Sequence, residues 1–338
     1  MSKFSMRPTG WFQIGWSAEV PPGAVKPLKY FGQDMVAFRS DSGELAVMEA
    51  HCPHLGAHLG YGGKVKGDCV ECPYHGWQWN TKGDNTHIPL QDRTVGRKLK
   101  KFHIVEQHEI IFMWHDPAGG PPRENFQLPH LFDFEGHPAD PNDFYPCYSN
   151  NVQLFYPNER IHPQLVLENA ADTAHFKYTH NAPMAPELLW FDTSTTMWKS
   201  EFGFYSPKTK EIAMRAHGLV PGIGLVFFVF DHAGFGRRLV LSATPIDDET
   251  SDIRVTYFFP KDPASPDVMP QHVRATAAET HMFFAQDAEI WRHQRFVKRP
   301  IFADRDVKGY TGLRRWAEQF YEVDAPAGPM KVVDEEIQ

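Results

Sequence analysis

Two cysteines and two histidines in this 338-residue chain are spaced as metal ligands: Cys52-Pro53-His54, then Cys72-Pro73-Tyr74-His75, with seventeen residues between His54 and Cys72. Each pair is bent around a proline and followed by a glycine, Gly56 or Gly76, as tight loops demand. Two thiolates and two imidazoles offered from two loops suit either a structural zinc or a two-iron cluster. Zinc modules usually pair cysteine with cysteine and histidine with histidine. Here each loop carries one of each, so a flat [2Fe-2S] cluster can take both cysteines on one iron and both histidines on the other. Cys69 and Cys147 remain and read as buried thiols. Four cysteines in a chain of this length make no disulfide framework and fit a reducing, cytoplasmic setting.

A second constellation lies in Glu168-Asn169-Ala170-Ala171-Asp172-Thr173-Ala174-His175-Phe176-Lys177-Tyr178-Thr179-His180. Two histidines and a carboxylate on one face of a metal leave positions open for oxygen and substrate. Asp172 and His175, three apart, share a helix face. His175 and His180 would diverge by roughly 140° in a regular helix, so the helix must end or bulge between them, and Asn181 and Pro183 favour an end just after His180. Asn169, one turn before Asp172, either reaches the site or is a plain helix-surface residue. Further on, Asp287 is flanked at helical spacing by Phe283, Phe284, Ile290 and Trp291. A carboxylate centred in an apolar stripe is costly unless it is paired or binds a metal. The competing reading is an ion pair with Arg292 or Arg295, and Glu289 is the alternative carboxylate.

The elements that must carry these residues fall into two kinds. Residues 10–115 read as short strands and turns, with strands at 25–30, 35–38 and 45–48 and a closing hairpin of 102–106 with 110–114. Asp116-Pro117-Ala118-Gly119-Gly120-Pro121-Pro122 is the clearest linker. Beyond it the pattern is mixed: a helical stretch over 165–178, strands at 197–205, 212–217, 225–230, 238–244 and 253–259 that suggest one antiparallel sheet, a long helix over 270–296 and a short one over 312–321. The apolar run 219–230 reads as a buried strand, too short and too broken by Pro221, Gly222 and Gly224 to span a bilayer. The domain reading is therefore 8–116, a linker at 117–145, a second domain at 146–330 and a charged tail at 331–338. A net charge of −8 argues against a nucleic-acid partner.

The loops Cys52-Pro-His-Leu-Gly and Cys72-Pro-Tyr-His-Gly-Trp resemble the two signature loops of the Rieske family. Rieske proteins of respiratory complexes carry an extra cysteine in each loop. Those positions are Ala57 and Tyr74 here, as in oxygenase-type Rieske domains. Asp172-x-x-His175-x-x-x-x-His180 is similar to the mononuclear iron motif of Rieske oxygenases, and Gln286-Asp287-Ala-Glu-Ile-Trp291 to the segment bearing their third ligand. The wording of residues 51–65 and 67–73 resembles the steroid-acting branch, which holds bacterial 3-ketosteroid 9α-hydroxylase oxygenases and animal cholesterol 7-desaturases of the Neverland type.

The resemblance implies an α+β protein: an all-β Rieske domain, then a catalytic domain with an antiparallel sheet packed by helices, of the helix-grip type. It implies a [2Fe-2S] cluster on Cys52, His54, Cys72 and His75, and a mononuclear Fe(II) on His175, His180 and Asp287. Asp172 then bridges an iron-bound histidine and, across a subunit boundary, a Rieske histidine, with Asn169 beside it. The expected function is the terminal oxygenase of a multicomponent system that uses O2 to hydroxylate or desaturate a bulky apolar, steroid-like substrate. Its electrons come from a separate NAD(P)H-dependent reductase or ferredoxin, since the chain has no G-x-G-x-x-G loop for a dinucleotide of its own, and its assembly is a homotrimer. Two other readings stand beside it: a monooxygenase or demethylase acting on a small aromatic or amine, and a non-catalytic Rieske electron carrier.

Overall fold

A computed structural model describes residues 5–134, 136–147, 152–231 and 236–321. The charged tail expected at 331–338 lies outside them. The chain divides into two units, Ile14–Trp114 and the remainder, Met1–Gln13 with His115–Gln338. Residues 117–145 belong to the second unit and carry a two-stranded ribbon, Asp133–Phe134 with His137–Pro138, and the 3-10 turn Pro141–Asp143.

The first unit is built of short antiparallel strands. Val25–Tyr30, Gln33–Arg39 and Leu45–Glu49 form one sheet, and Lys64–Lys66, Cys69–Glu71, Gln78–Asn80 and Asn85–His87 form another. Ile104–Gln107 and Ile110–His115 make a tight hairpin whose turn residues His108 and Glu109 both sit in the left-handed region, φ 53° and 62°, as a two-residue hairpin loop requires. Val36, Phe38, Met48, Leu59, Val70 and Trp79 pack into one core, and Cys52 and Cys72 are buried in it. Cys69 is only half-buried, at the start of its strand, so the expectation of a buried thiol fails there and holds at Cys147.

The second unit centres on a seven-stranded antiparallel sheet. Its spatial order is Gln153–Glu159, Ser251–Phe258, Arg237–Pro245, Leu225–Asp231, Ile212–Gly222, Trp198–Tyr205 and Glu187–Asp192. The apolar run expected as a single strand over 219–230 is the turn of a hairpin, with Gly222 opposite Leu225; Pro221-Gly222-Ile223-Gly224 breaks the run. Registers of Phe230 with Arg237, Phe228 with Leu239, and Leu239 with Tyr257 put all five on one face. Helix α3, Gln271–His293, covers that face: Tyr257 meets Phe284 edge-on, with ring centroids 6.1 Å apart.

The helical stretch expected over 165–178 is two short helices, α1 (Pro163–Glu168) and α2 (His175–Tyr178), with turns between them. Neither Asn169 nor Asp172 is therefore on a common helix face with His175. The last helix, α4, is Asp304–Ala317, longer at its start than the sequence suggested. Gly312, which read as the helix start, and Gly309 are where α4 presses on its neighbours. A β-carbon at Gly312 would lie 2.7 Å from the Phe191 ring, and one at Gly309 3.1 Å from Leu188. Among the described residues no helix is long and apolar enough to cross a membrane.

Candidate iron centres

The two cysteine loops fold alike. The Cys52 amide donates to the Ala57 carbonyl at 2.8 Å and the Gly56 amide to the Cys52 carbonyl at 2.9 Å. In the second loop the Cys72 amide donates to Trp77 at 2.8 Å and Gly76 to Cys72 at 3.0 Å. Gly56 and Gly76 have φ of 76° and 71°, a conformation that only glycine takes freely. The identical turns bury both thiols and leave both imidazoles outward. The His54 and His75 ring centroids lie 4.6 Å apart, and Trp77 stacks flat on His54 at 4.5 Å. Burial and the neighbouring Cys72 sulfur push the Cys52 thiol up, with the His54 amide opposing. Two adjacent buried sulfurs with no disulfide and two convergent imidazoles fit a [2Fe-2S] group whose irons take the two ligand types separately.

In the second unit, the ligand atoms of His175, His180 and Asp287 all lie within 4.8 Å of one another. Three elements deliver them. His175 opens α2, His180 follows it, and Asp287 lies toward the C-terminal end of α3 among its buried positions, with Thr280, Ala288 and Trp291. The angular conflict between His175 and His180 is resolved by ending the helix. α2 stops at Tyr178, Asn181 is left-handed at φ 54°, and the Ala182 amide returns to the Phe176 carbonyl at 2.9 Å, a wide helix-ending turn.

Asp287 is 7% exposed and faces His180, Nε2 to Oδ1 at 3.2 Å. Among the described residues no ion pair joins it to Arg292 or Arg295. Arg292 pairs with Glu159 and Glu289, which leaves Glu289 on the solvent side. Ile290, placed by sequence on the buried stripe, is 48% exposed. The stripe is narrower than the spacing suggested and centres on Asp287.

Gln286, which sequence reasoning passed over, accepts a hydrogen bond from His180 Nδ1 at 2.9 Å. That bond fixes the tautomer and leaves Nε2 as the lone-pair donor toward the cluster. Its only sequence signal was adjacency to Asp287. Burial alone would lower the His180 pKa, but the Asp287 carboxylate and the Gln286 carbonyl outweigh it and hold the imidazole above its ordinary value. A cation held between the same groups would take that proton's place.

Asp172 caps α2, accepting the Ala174 and His175 amides on Oδ1 at 3.0 and 3.2 Å. The same oxygen stands 3.6 Å from His175 Nδ1, a buried nitrogen with no hydrogen-bond partner. Burial would raise the Asp172 pKa; His175 and the Tyr310 hydroxyl of α4 reverse this and hold it below the usual carboxylate range. Asn169 closes α1 and is not part of the ligand cluster. Phe176 packs edge-on to His180 and Phe204, and Phe283 lies 4.9 Å from His180, so the cluster sits in an aromatic wall. Two imidazoles, one carboxylate and an orphaned buried nitrogen fit a hard-to-borderline ion such as Fe(II) with open coordination positions.

α4 braces this loop. Arg314 makes a two-pronged pair with Glu168 at the end of α1, both bonds 2.8 Å. Arg305 donates to Thr173 Oγ1 at 2.8 Å and to the Pro186 carbonyl at 3.2 Å. Both sides of the segment bearing Asp172 and the histidines are thereby tied to one helix.

Comparison with known proteins agrees with this architecture. Residues 113–321 match the 3-Ketosteroid 9alpha-hydroxylase C-terminal domain, and residues 10–105 match the Rieske [2Fe-2S] domain. Cholesterol 7-desaturase nvd of Drosophila melanogaster is 29% identical over 93% of this chain and 75% of its own length. The oxygenase component of 3-ketosteroid-9-alpha-monooxygenase of Rhodococcus rhodochrous is 26% identical over 92% of this chain and 80% of its own length. Among solved structures, Pseudomonas putida CBB5 NdmA with caffeine superposes with a TM-score of 0.68 at 15% identity, covering 93% of this chain and 96% of that one. Dicamba monooxygenase bound to dicamba superposes at 0.64, with 16% identity, 94% and 98% coverage. At such identities the superpositions speak for the fold.

Proposed function

The chain belongs to the Rieske oxygenases with a C-terminal domain of the 3-ketosteroid 9alpha-hydroxylase type, and from that premise we propose that it is a terminal oxygenase that hydroxylates or desaturates a bulky, steroid-like substrate. The family's cofactors are a Rieske [2Fe-2S] cluster and a mononuclear iron. When bound, the cluster supplies electrons and the iron activates O2. The finer parts of the reading are the sterol-like substrate, a separate NAD(P)H-dependent reductase or ferredoxin, and a homotrimer.

The observation that carries it is the His175, His180 and Asp287 cluster, set in a unit that a simple electron carrier does not need. In this reading Cys52, His54, Cys72 and His75 would hold the cluster, and His175, His180 and Asp287 would hold the iron. Gln286 keeps the His180 lone pair aimed at the ion. Asp172 holds His175 in place through its backbone amide and stands 3.6 Å from its ring nitrogen. Phe176, Phe204 and Phe283 keep bulk water off the ligands, which strengthens every charge interaction inside. The steroid-like substrate rests on the two groups of relatives, cholesterol desaturases and 3-ketosteroid monooxygenases, and on the aromatic wall.

The test is substrate-dependent consumption of NADH and O2 by the protein with a surrogate reductase, screened across sterols, 3-ketosteroids, methoxybenzoates and N-methyl amines. Coupled uptake with an oxidised steroid product is expected. Coupling only to the small aromatics or amines would overturn the substrate, and no coupling to any class with both iron centres loaded would overturn the oxygenase reading.

A further inference from the structure

Two consecutive arginines, Arg237 and Arg238, open a central strand of the large sheet and point to opposite faces. Arg238 has partners on both terminal nitrogens, though its Nε, like that of Arg237, is buried without one. Its guanidinium donates to the Leu131 and His137 carbonyls and lies over the Phe132 and Phe144 rings. Arg237 faces the other way, toward α3. Among the described residues its guanidinium makes no hydrogen bond or ion pair, and its Nε is buried without a partner. It rests only on the ring of Phe230, 4.7 Å from the centroid. Burial pulls its pKa down; Tyr257 and Glu279 pull the other way, but Glu279 lies on the exposed side of α3. A guanidinium stays charged, and a poorly solvated cation without a counter-charge is expensive.

Arg237 lines a cavity of about 230 Å³ with Met214, Phe230, Phe259, His272, Val273 and Thr276. Four of those six neighbours are apolar. His272 is largely exposed and marks the mouth. The cavity lies against the first two turns of α3, where Pro270 provides no side-chain cap and the first turn holds no acidic residue. The positive end of the helix dipole there also favours an anion.

The cavity and the proposed iron ligands share one face of the sheet. Phe259 stacks on Tyr257 at 5.8 Å, Tyr257 meets Phe284, and Phe284 is one turn before Asp287. The charges of Arg237 and of Asp287 both act on the Tyr257 hydroxyl, which burial has already pushed well above its usual range. Along α3, Thr276 and Asp287 are eleven residues apart, roughly 16 Å of helix. A rigid apolar body with a short side chain spans that distance.

We infer that Arg237 anchors the carboxylate of the substrate, so that this oxygenase takes a fused-ring apolar acid, held by its acid end at the mouth with its ring system directed toward His175, His180 and Asp287. The inference rests on the steroid-like reading above and sharpens it: the substrate is an acid, and Arg237 selects it over neutral sterols. Arg237 is a specificity residue that touches the substrate and takes no part in binding either iron centre.

The experiment is a binding titration of the holoprotein with 3-oxochol-4-en-24-oate and with its methyl ester, followed by calorimetry, for the wild type, Arg237→Gln and Arg237→Lys. The acid is expected to bind the wild type roughly 10- to 100-fold more tightly than the ester, the range of a charged hydrogen-bonded pair. Arg237→Gln removes that preference while leaving ester binding and the Rieske absorbance unchanged, and Arg237→Lys restores part of it. If the wild type binds acid and ester alike, or prefers the ester, the anchor is wrong and the steroid-like reading stands. If Arg237→Gln keeps the full acid preference, the anchor is another residue. If neither compound binds, the steroid-like reading falls and takes the anchor with it. The wild-type comparison of acid with ester decides the matter even if a variant fails to fold.

Discussion

His180 illustrates how much of this chemistry depends on a neighbour that is not itself a ligand. Its Nδ1 is tied to Gln286 at 2.9 Å and its Nε2 faces Asp287 at 3.2 Å. With the amide removed, the ring can rotate and choose the other tautomer. Replacing Gln286 by Leu is therefore expected to weaken iron retention about 10- to 100-fold. The measurement is iron content after dialysis against graded chelator, with the Rieske absorbance as internal control. Unchanged retention would make Gln286 a bystander. Asp287 itself was readable in the sequence as a carboxylate in an apolar stripe, because burial of a charge is a rule broken only for a reason. Gln286 was not, because an amide beside a ligand carries no such penalty and its partner is 106 residues away.

At the scale of elements, α1 and α4 hold the loop that bears the histidines, and each carries a testable strut. His162 caps α1, its Nδ1 accepting the Gln164 amide at 3.1 Å. Complete burial pulls its pKa from 6.5 to about 4. The folded chain thus refuses a proton that the unfolded chain accepts. The stabilisation is fully present above pH 6.5, declines below it and is lost by about pH 4. A shift of this size corresponds to about 3 kcal/mol. Denaturant melts at pH 7 and pH 4.5 should show that loss in the wild type and a much smaller one in His162→Asn, which keeps the cap without the titration. Equal losses would assign the acid sensitivity elsewhere. The second strut is the Arg314 pair with Glu168, whose carboxylate is 8% exposed. Arg314→Met leaves that carboxylate buried without a counter-charge, held only by the Gln164 side-chain amide at 3.3 Å among the described residues, and is expected to cost about 3–5 kcal/mol in a urea melt. A loss below about 1 kcal/mol would rank the pair with ordinary surface bridges.

The same scale explains what sequence reading resolved. The inner strands were legible because their aromatic and β-branched residues mark them. The two edge strands, Gln153–Glu159 and Glu187–Asp192, were missed. The first contains Pro157 and a left-handed Asn158 at a register shift, and the second is shifted between Leu188 and Trp190. Irregular edges lack the alternation on which such reading depends. The break between α1 and α2 was missed because Ala170 and Ala171 are good helix formers; the interruption comes from the Asp172 cap and from the bracing by α4, which are tertiary.

At the scale of the whole molecule, the chain pairs a unit whose cysteine loops suit a two-iron cluster with a unit whose imidazoles and carboxylate suit one further iron. The donor sets are chemically distinct, thiolate and imidazole against imidazole and carboxylate, so each centre should be lost without the other. Local motifs carried nearly all of this in the sequence, since Cys-x-His and Asp-x-x-His-x-x-x-x-His are short-range patterns. The Arg237 cavity was invisible there, because it joins residues from 214 to 276 across the sheet and α3.

The most direct test of the account is iron content and visible absorbance of the wild type beside Asp287→Ala. The wild type should hold about three irons per chain and the variant about two, with the Rieske absorbance unchanged. Loss of cluster absorbance together with the third iron, or retention of about three irons in the variant, would contradict the assignment of Asp287 and with it the proposed centre for oxygen chemistry.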